Sequence, residues 1–293
     1  MAKNNVFQQK WFLFALFTTI SWGIWGALIE ITEKAGFPAT LGYVVWALTM
    51  VPCAIIALLV SKVRLEYSPK QIAYGMIVGL TGAGGQLVLF QALREGPAYI
   101  IFPIISLSPV VTIILSFVFL KERTTLRGWI GIVFALVAIF LLSYTKSNSN
   151  GIESFLWLVL PGLVFLAWGT QAVFMKIANT KMRAESIFTY MAISAVLMIP
   201  GALYLTDFSV DINYGLTGPY LAAIIQVLNS VGALFLVYAL RYGKAIIVSP
   251  MTNALSPIIT IIISLAIYAV FPSFLMISGM VLAIVAIYLF SFD

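Results

Sequence analysis

Apolar runs of about 20 residues follow one another along nearly the whole chain, and this is the length of helix that crosses the hydrocarbon core of a bilayer. Of the 293 residues, 62% are hydrophobic and 9% are charged, whereas a soluble domain has about 25% charged residues. A single soluble core cannot bury so much apolar surface. The sequence therefore predicts an all-α polytopic membrane protein.

Charge and turn signals divide the chain into ten predicted transmembrane spans with short connections. The spans are 11–31, 40–61, 71–93, 97–120, 128–145, 153–175, 185–205, 217–240, 245–270 and 272–292. The first apolar run is longer than a signal-peptide core and lacks a small-residue cleavage site, so we expect it to remain as the first span.

The positive charges lie on alternate connections. With the N-terminus in the cytoplasm, all 16 Lys and Arg residues except Lys34, Arg94 and Lys146 fall on the cytoplasmic side, as the positive-inside rule requires. We expect a multi-pass protein of the inner or plasma membrane with both termini in the cytoplasm. The net charge of +6 then requires no nucleic-acid partner.

The second half of the chain repeats the first. Seven of ten positions are shared by LSPVVTIILS (107–116) and LSPIITIIIS (255–264), and eight of 14 by GIVFALVAIFLLSY (131–144) and GMVLAIVAIYLFSF (279–292). Shorter matches pair ALREG (92–96) with ALRYG (239–243), MVPCA (50–54) with MIPGA (198–202), and Trp22-Gly23 with Trp168-Gly169, all at offsets of 146–148. We predict two five-helix units, residues 1–147 and 148–293.

Five is an odd number, so the second unit is expected to enter the membrane inverted relative to the first. Inverted repeats are related by a pseudo-two-fold axis in the membrane plane and place the substrate near the midplane, between the halves. Alternating access, in which the halves exchange conformations, is the mechanism that this symmetry favours. A duplicated scaffold that transports nothing is the alternative.

One stretch of the first half resembles the EamA-type repeat of the drug/metabolite transporter superfamily. It is ALREGPAYIIFPIISLSPVVTIILSFVFLKERTTLRGWIGIVFALVAIFLL, in which Gly96, the proline inside span four, the LKER exit (120–123) and the glycine that leads span five carry the likeness. The second half departs from it, because AIYAVFPSF (266–274) has no acidic-basic pair where LKER would match. The resemblance implies ten helices, a central cavity lined mainly by spans one, three, four, six, eight and nine, and transport of small organic molecules, often export of amino acids or metabolites.

Amide and aromatic side chains inside the spans mark the expected site, because mid-membrane Gln and Asn are costly unless they have partners. The predicted substrate-binding residues are Ser21, Trp22, Trp25, Gln86, Gln91, Trp168, Gln171, Gln226, Asn229 and Asn253. For the three tryptophans, ligand contact and helix packing are equal alternatives. Such a lining suits an uncharged, zwitterionic or cationic solute, since tryptophan faces attract ammonium groups, and it disfavours phosphorylated ones.

Prolines recur at equivalent depths in spans four and nine, where each removes a backbone donor and disturbs the preceding turn. Pro103, Pro109, Pro250 and Pro257 are therefore predicted to break helices at the cavity wall and to take part in gating. Glu30 is the one carboxylate close enough to the membrane interior to be considered for proton coupling. Uniport or exchange is the favoured mode, and a proton-coupled uptake carrier for an organic cation is the alternative.

The composition argues against other classes of protein. Histidine is absent and Cys53 is the single cysteine, which excludes a Cys/His metal cluster, and neither a buried carboxylate pair nor a nucleophile–base arrangement supports an enzyme. We therefore expect no metal and no cofactor. A channel would need a charged or carbonyl-lined pore, and this remains an alternative to be tested. The expected partners are a small organic substrate and the lipid bilayer, with the protein a monomer or homodimer.

Overall fold

The computed structural model describes residues 9–95, 101, 104–143, 159–268 and 273–290, and every regular element in those ranges is helical. The elements in chain order are α1 (Lys10–Lys34), α2 (Ala39–Ser61), α3 (Pro69–Glu95), α4 (Ile104–Val118), α5 (Leu126–Ser143), α6 (Val159–Asn179), α7 (Ala184–Tyr204), α8 (Leu216–Tyr242), α9 (Ala245–Tyr268) and α10 (Phe274–Phe290). Helices satisfy their backbone hydrogen bonds internally, which is what a chain without access to water must do.

The lengths of these helices fall into two groups. Seven helices in the described residues, α1, α2, α3 and α6 to α9, are long and apolar enough to cross a membrane, and the apolar helices α4, α5 and α10 are shorter. Large side chains on the outer surface are apolar, as at Leu59, Val60 and Ile224, which are 71%, 76% and 70% exposed. Such a surface suits lipid rather than water. These features indicate a multi-pass membrane protein.

Three helices depart locally from regular α-helical geometry. A turn at residues 107–108 divides α4, and Pro109 follows it as the first residue of the longer segment, a position where a missing N–H costs nothing. In α7 the regular helix ends at Leu197 and resumes at Ile199, next to Pro200. The first turn of α8, Leu216–Tyr220, is a π-helical turn that contains Pro219.

Equivalent helices of the two halves make equivalent contacts with the opposite half. In the first half α1 packs against α8 and α9, and in the second half α6 packs against α3 and α4. The repeat in the sequence makes α1 equivalent to α6, α3 to α8 and α4 to α9. The first helix of each half therefore lies against the third and fourth helices of the other half, and α5 pairs with α10.

Glycines bring the helices together at equivalent places in this arrangement. A Cβ on Gly23 of α1 would lie 2.5 Å from Ile259 Cβ of α9, and a Cβ on Gly169 of α6 would lie 2.4 Å from Val111 Cβ of α4. Close approach of backbones through small residues is the usual way in which helices associate in lipid. The doublets Trp22-Gly23 and Trp168-Gly169 therefore combine a large and a small residue at each contact between the halves.

Candidate functional site

Two tryptophans hold the centre of the bundle together from equivalent positions. Trp22 Nε1 of α1 donates to the backbone carbonyl of Asn229 on α8 at 3.2 Å. Trp168 Nε1 of α6 donates to the carbonyl of Gly82 on α3, also at 3.2 Å. Residues 82 and 229 are separated by the repeat offset of 147. The first half thus donates one such hydrogen bond to the second half, and the second half donates the equivalent one to the first.

Each of these indole rings lies on a glycine of the helix that it contacts. A Cβ on Gly232 would lie 2.5 Å from Trp22 Cδ1, and a Cβ on Gly85 would lie 2.5 Å from Trp168 Nε1. Ser21, the residue before the first tryptophan, is buried next to Gly232. Both tryptophans remain half-buried, so each combines a structural hydrogen bond with some accessible surface.

Gln226 of α8 links three helices near the first tryptophan. It is buried, and its Oε1 accepts from Trp25 Nε1 of α1 at 3.0 Å and from Asn229 Nδ2 at 3.3 Å. Its Nε2 donates to the carbonyl of Gly42 on α2 at 3.2 Å. Two of the predicted site residues, Gln226 and Trp25, therefore use their polar atoms on each other, and the Oδ1 of half-buried Asn229 accepts no hydrogen bond from the described residues.

Gln171 of α6 is the repeat equivalent of Trp25 of α1. Its Nε2 donates to the carbonyl of Val78 on α3 at 3.1 Å, beside Gly82. Gln86, one turn further along α3, is half-buried and makes no hydrogen bond within the described residues. Gln91 lies near the end of α3, where its amide donates to Glu95. The structure therefore brings Gln171 and Gln86 to the centre of the bundle and leaves Gln91 at the helix end.

The fourth helix of each half adds the last members of a set of side chains that we call the central layer. Its members are Trp22, Trp25, Gln86, Thr112, Trp168, Gln171, Gln226, Asn229, Asn253 and Thr260. Thr112 Oγ1 of α4 donates to the Gly169 carbonyl at 2.8 Å, and Thr260 Oγ1 of α9 donates to the Gly23 carbonyl at 3.0 Å. Asn253 of α9 is half-buried, and its Nδ2 donates to the Ser249 carbonyl one turn earlier. Sequence reasoning missed the two threonines, although their equivalent places in LSPVVT and LSPIIT are a signal that could have found them.

The predicted gating prolines behave differently in the two halves. Pro109 follows the turn in α4, whereas α9 continues through both Pro250 and Pro257 as one helix. Pro103 lies outside the described residues. Only the first copy of the repeated decapeptide therefore contains a break in the helix at its proline, within the part of the chain that the structure describes.

Glu30 and Lys34 form an ion pair at the end of α1. Glu30 Oε1 lies 2.9 Å from Lys34 Nζ, and the side chains are 50% and 59% exposed. A half-exposed pair of this kind is screened by solvent and contributes little to stability. The carboxylate that was considered for proton coupling thus has a cationic partner one turn away and is not in the central layer.

The central layer offers neutral hydrogen-bonding groups and aromatic faces. The polar atoms that remain without partners among the described residues include the Gln86 amide and the Oδ1 atoms of Asn229 and Asn253. The described residues contain no group of three His, Cys, Asp or Glu side chains that could hold a metal ion. Such a layer can bind a small solute through hydrogen bonds and stacking, without fixed charge.

An apolar groove of about 230 Å³ lies elsewhere, on the flank of the bundle between α2 and α7. It is lined by Val51, Ala54, Ile55, Leu58, Thr189, Ala192, Ile193, Val196 and Leu197. The lining is almost entirely apolar, and none of its residues belongs to the central layer, so the groove is a separate feature.

Comparison with known proteins adds an independent line of evidence. The EamA-like transporter family matches the chain in two places, residues 9–144 and residues 155–292, one in each half. An uncharacterised protein of Methanocaldococcus jannaschii is 37% identical over 94 residues, which cover 32% of this chain and 68% of that protein. An uncharacterised transporter of Archaeoglobus fulgidus is 26% identical over 167 residues, 55% of this chain and 58% of that protein. An uncharacterised transporter of a Sinorhizobium species is 26% identical over 142 residues, 46% of this chain and 98% of that protein. A crystal structure with a TM-score of 0.76 and 17% identity covers 94% of this chain and 95% of its own, which shows that the fold is shared.

Proposed function

Because the chain belongs to the EamA-like transporter family of the drug/metabolite transporter superfamily, we propose that it is a secondary transporter which exports a small organic metabolite across the cell membrane by alternating access. Family membership and the relatives described as transporters make the chain a transporter rather than an enzyme. The cargo, the direction and the mechanism are the parts that we propose.

The proposed topology has ten spans, arranged as two inverted five-helix units with both termini in the cytoplasm. The units are residues 1–147 and 148–293. The observation that supports this arrangement best is a pair of repeat-equivalent hydrogen bonds between the halves. Trp22 donates to the Asn229 carbonyl, and Trp168 donates to the Gly82 carbonyl. Contacts that are equivalent under the repeat can serve two conformations related by exchange of the halves, which is what alternating access requires.

The proposed cargo is an amino-acid-like solute, an amine or another amphiphilic molecule. The central layer supports this choice, since Gln86, Asn229 and Asn253 provide neutral donors and acceptors. Trp22 and Trp25 add half-buried aromatic rings. An ammonium group over a tryptophan face gains about 0.5–2 kcal/mol. A phosphorylated solute would need cationic partners that this set of side chains does not provide.

The proposed mode is uniport or exchange rather than proton coupling. A coupled carrier needs a titratable group in the transport path, and Glu30 is half-exposed and paired with Lys34. An uptake carrier for an organic cation, coupled to protons through Glu30, is the second candidate. A pH gradient that drives accumulation in the wild type but not in Glu30→Gln would favour this second candidate.

Transport assays with purified protein in liposomes test the proposal. Amino acids, quaternary amines, nucleobases and sugars are first screened by melting temperature, because a ligand that binds only the folded form stabilises it. Radiolabelled hits are then assayed for flux. A carrier gives saturable flux and counterflow, whereas a channel gives flux without saturation. The absence of flux for every stabilising solute would instead support a scaffold without transport.

A further inference from the structure

We propose that carboxylates lock the two halves together at their cytoplasmic ends, whereas neutral groups make the equivalent contacts at the outer ends, so that the carrier rests with its cytoplasmic side closed. This inference rests on the proposed ten-span topology, which places residues 62–68, 119–125 and 180–183 in the cytoplasm. The term cytoplasmic lock refers below to Glu66, Glu122 and Glu185.

Glu66, in the connection between α2 and α3, caps the start of α7 in the other half. Its carboxylate accepts the N–H of Arg183, the residue immediately before α7. Its own N–H donates to Ser186 Oγ at 3.2 Å, and its carbonyl accepts from the Tyr190 hydroxyl at 2.7 Å. The N-cap residue of α7 makes no side-chain cap of its own. The carboxylate that stabilises this helix start therefore comes from the opposite half.

Glu122, in the connection between α4 and α5, binds the start of α9 in the same way. Glu122 Oε2 accepts the N–H of Ile246, the second residue of α9, at 3.0 Å. The ammonium of Lys176 on α6 is close enough to interact electrostatically with this carboxylate, and it donates to the Gly243 carbonyl at the end of α8. One carboxylate of the first half thus lies among three helices of the second half.

Glu185, at the start of α7, has most of its partners in its own half. The residue is 6% exposed, and its carboxylate accepts a hydrogen bond from the Tyr238 hydroxyl. Arg241, also in the second half, interacts with it electrostatically, and Ser61, the last residue of α2, interacts with it from the first half. Glu185 therefore contributes less to the lock than Glu66 and Glu122, whose hydrogen bonds cross between the halves.

Neutral groups join the equivalent connections at the outer end. Asn213 N donates to the Gly36 carbonyl at 3.1 Å, and Asn213 Nδ2 donates to the Ala35 carbonyl at 2.9 Å. Thr206 Oγ1 donates to Thr40 Oγ1 at 2.8 Å. These contacts join the α7–α8 connection to the α1–α2 turn, which are the repeat equivalents of the two connections that Glu66 joins.

The segments that are equivalent to those of Glu122 and Glu185 contain no charged residue. AIYAVFPSF (266–274) replaces the segment that carries Glu122, and AGFPATL (35–41) replaces the segment that carries Glu185. Hydrogen bonds to ionised groups are roughly twice as strong as neutral ones. Identical contacts would hold both ends equally well, whereas Glu66 and Glu122 make the cytoplasmic member of each repeat-related pair of contacts the stronger one.

Thiol reactivity behind the lock tests the proposal. In a Cys53→Ser background, Ser249→Cys places a thiol at a position that is 7% exposed, one turn into α9 and beside Thr112 of α4. An impermeant maleimide is added to the cytoplasmic face of inside-out vesicles. We expect slow labelling with the lock intact, and a rate that is about fivefold higher with either Glu66→Gln or Glu122→Gln.

Asn213→Ala is the matched control, because it removes the equivalent neutral contact at the outer end. We expect it to leave the reactivity of Ser249→Cys unchanged or lower. Unchanged labelling in both glutamine variants would overturn the lock, and so would an equal rise in Asn213→Ala. Faster labelling in a variant whose size-exclusion elution peak is broadened reflects unfolding and counts against the lock. Solute flux in the same vesicles is a separate reading, so loss of the proposed function and loss of the lock can be distinguished.

Discussion

Trp168 and Trp22 each fill space that a glycine leaves on the facing helix, so the glycines determine how closely α3 approaches α6 and α8 approaches α1. A methyl group on Gly85 would lie 2.5 Å from the Trp168 ring, and one on Gly232 would lie 2.5 Å from the Trp22 ring. A rigid ring cannot move away as the end of a flexible side chain can. Overpacking of this kind typically costs about 1–3 kcal/mol.

We therefore expect Gly85→Ala and Gly232→Ala each to lower the melting temperature of the purified protein by several degrees. Gly162→Ala in α6 is the control, because a Cβ there meets no atom within 4 Å. Its melting temperature should match or exceed that of the wild type, since alanine favours a helix over glycine. Equal melting temperatures for all three variants would contradict the close packing of the tryptophans.

Two of the glutamines in the central layer, Gln226 and Gln86, allow effects on stability to be separated from effects on transport. Gln226 bonds to Trp25, Asn229 and the Gly42 carbonyl, so Gln226→Leu leaves several polar groups without partners. Each unsatisfied buried group costs about 1–3 kcal/mol, and we expect a clear fall in melting temperature. Gln86 has no partner among the described residues, so Gln86→Leu should keep the melting temperature while reducing flux of the cargo several-fold. Normal flux in Gln86→Leu would remove this residue from the proposed site.

Polarity alone identified most of the residues that the structure brings to the central layer, but it could not assign their roles. The cost of an unpartnered amide in lipid explains why Gln171 and Gln226 were found. It does not distinguish a ligand from a facing carbonyl, and both residues turned out to bond across the helix interface. Gln91 was predicted from the same rule and lies at a helix end with Glu95, because the rule carries no information on depth.

At the scale of helices, the threonines of the repeated decapeptide join the halves in a matched way. Thr112 bonds to the Gly169 carbonyl and Thr260 to the Gly23 carbonyl. We expect Thr112→Val and Thr260→Val to lower stability by similar amounts, about 1 kcal/mol each. Thr170→Val is the control, because among the described residues the Thr170 hydroxyl bonds only to carbonyls of its own helix. Thermal unfolding in detergent checks this, and markedly unequal losses would contradict equivalent roles in the two halves.

The helices were predictable from the spacing of apolar runs, whereas which of the predicted proline breaks would form was not. Expected spans such as 40–61 and 71–93 correspond closely to α2 and α3. Nearly identical decapeptides nevertheless give a turn before Pro109 and an uninterrupted helix through Pro257. The copies differ upstream of the shared residues, where Thr252 and Asn253 of α9 bond to carbonyls one turn earlier and α4 has Ile104 and Ile105 at the equivalent positions. Tertiary and local side-chain bonds of this kind are not encoded in hydropathy.

At the scale of the whole molecule, repetition in the sequence predicted two related units but not which helices of one unit pack against the other. The family match covers both halves, and α1 and α6 occupy equivalent places against the third and fourth helices of the opposite half. The orientation of each half in the bilayer does not follow from packing alone. It depends on how many of the helices cross, and the shorter helices decide this.

Helix α5 is the critical element, because it has 18 residues, about 27 Å at 1.5 Å per residue, against a hydrocarbon core of about 30 Å. A deficit of this size can be met by local thinning of the bilayer, so we expect α5 to cross.

Arg123 and Lys181 are then separated by two crossings, α5 and α6, and lie on the same face, whereas one further crossing by α7 places Asp211 on the opposite face. All three side chains are exposed, so single cysteines at these positions, in a Cys53→Ser background, can be labelled with an impermeant maleimide in oriented vesicles. Labelling of positions 123 and 181 from opposite faces would mean that α5 does not cross, and the two five-helix units could not then be inverted copies of each other.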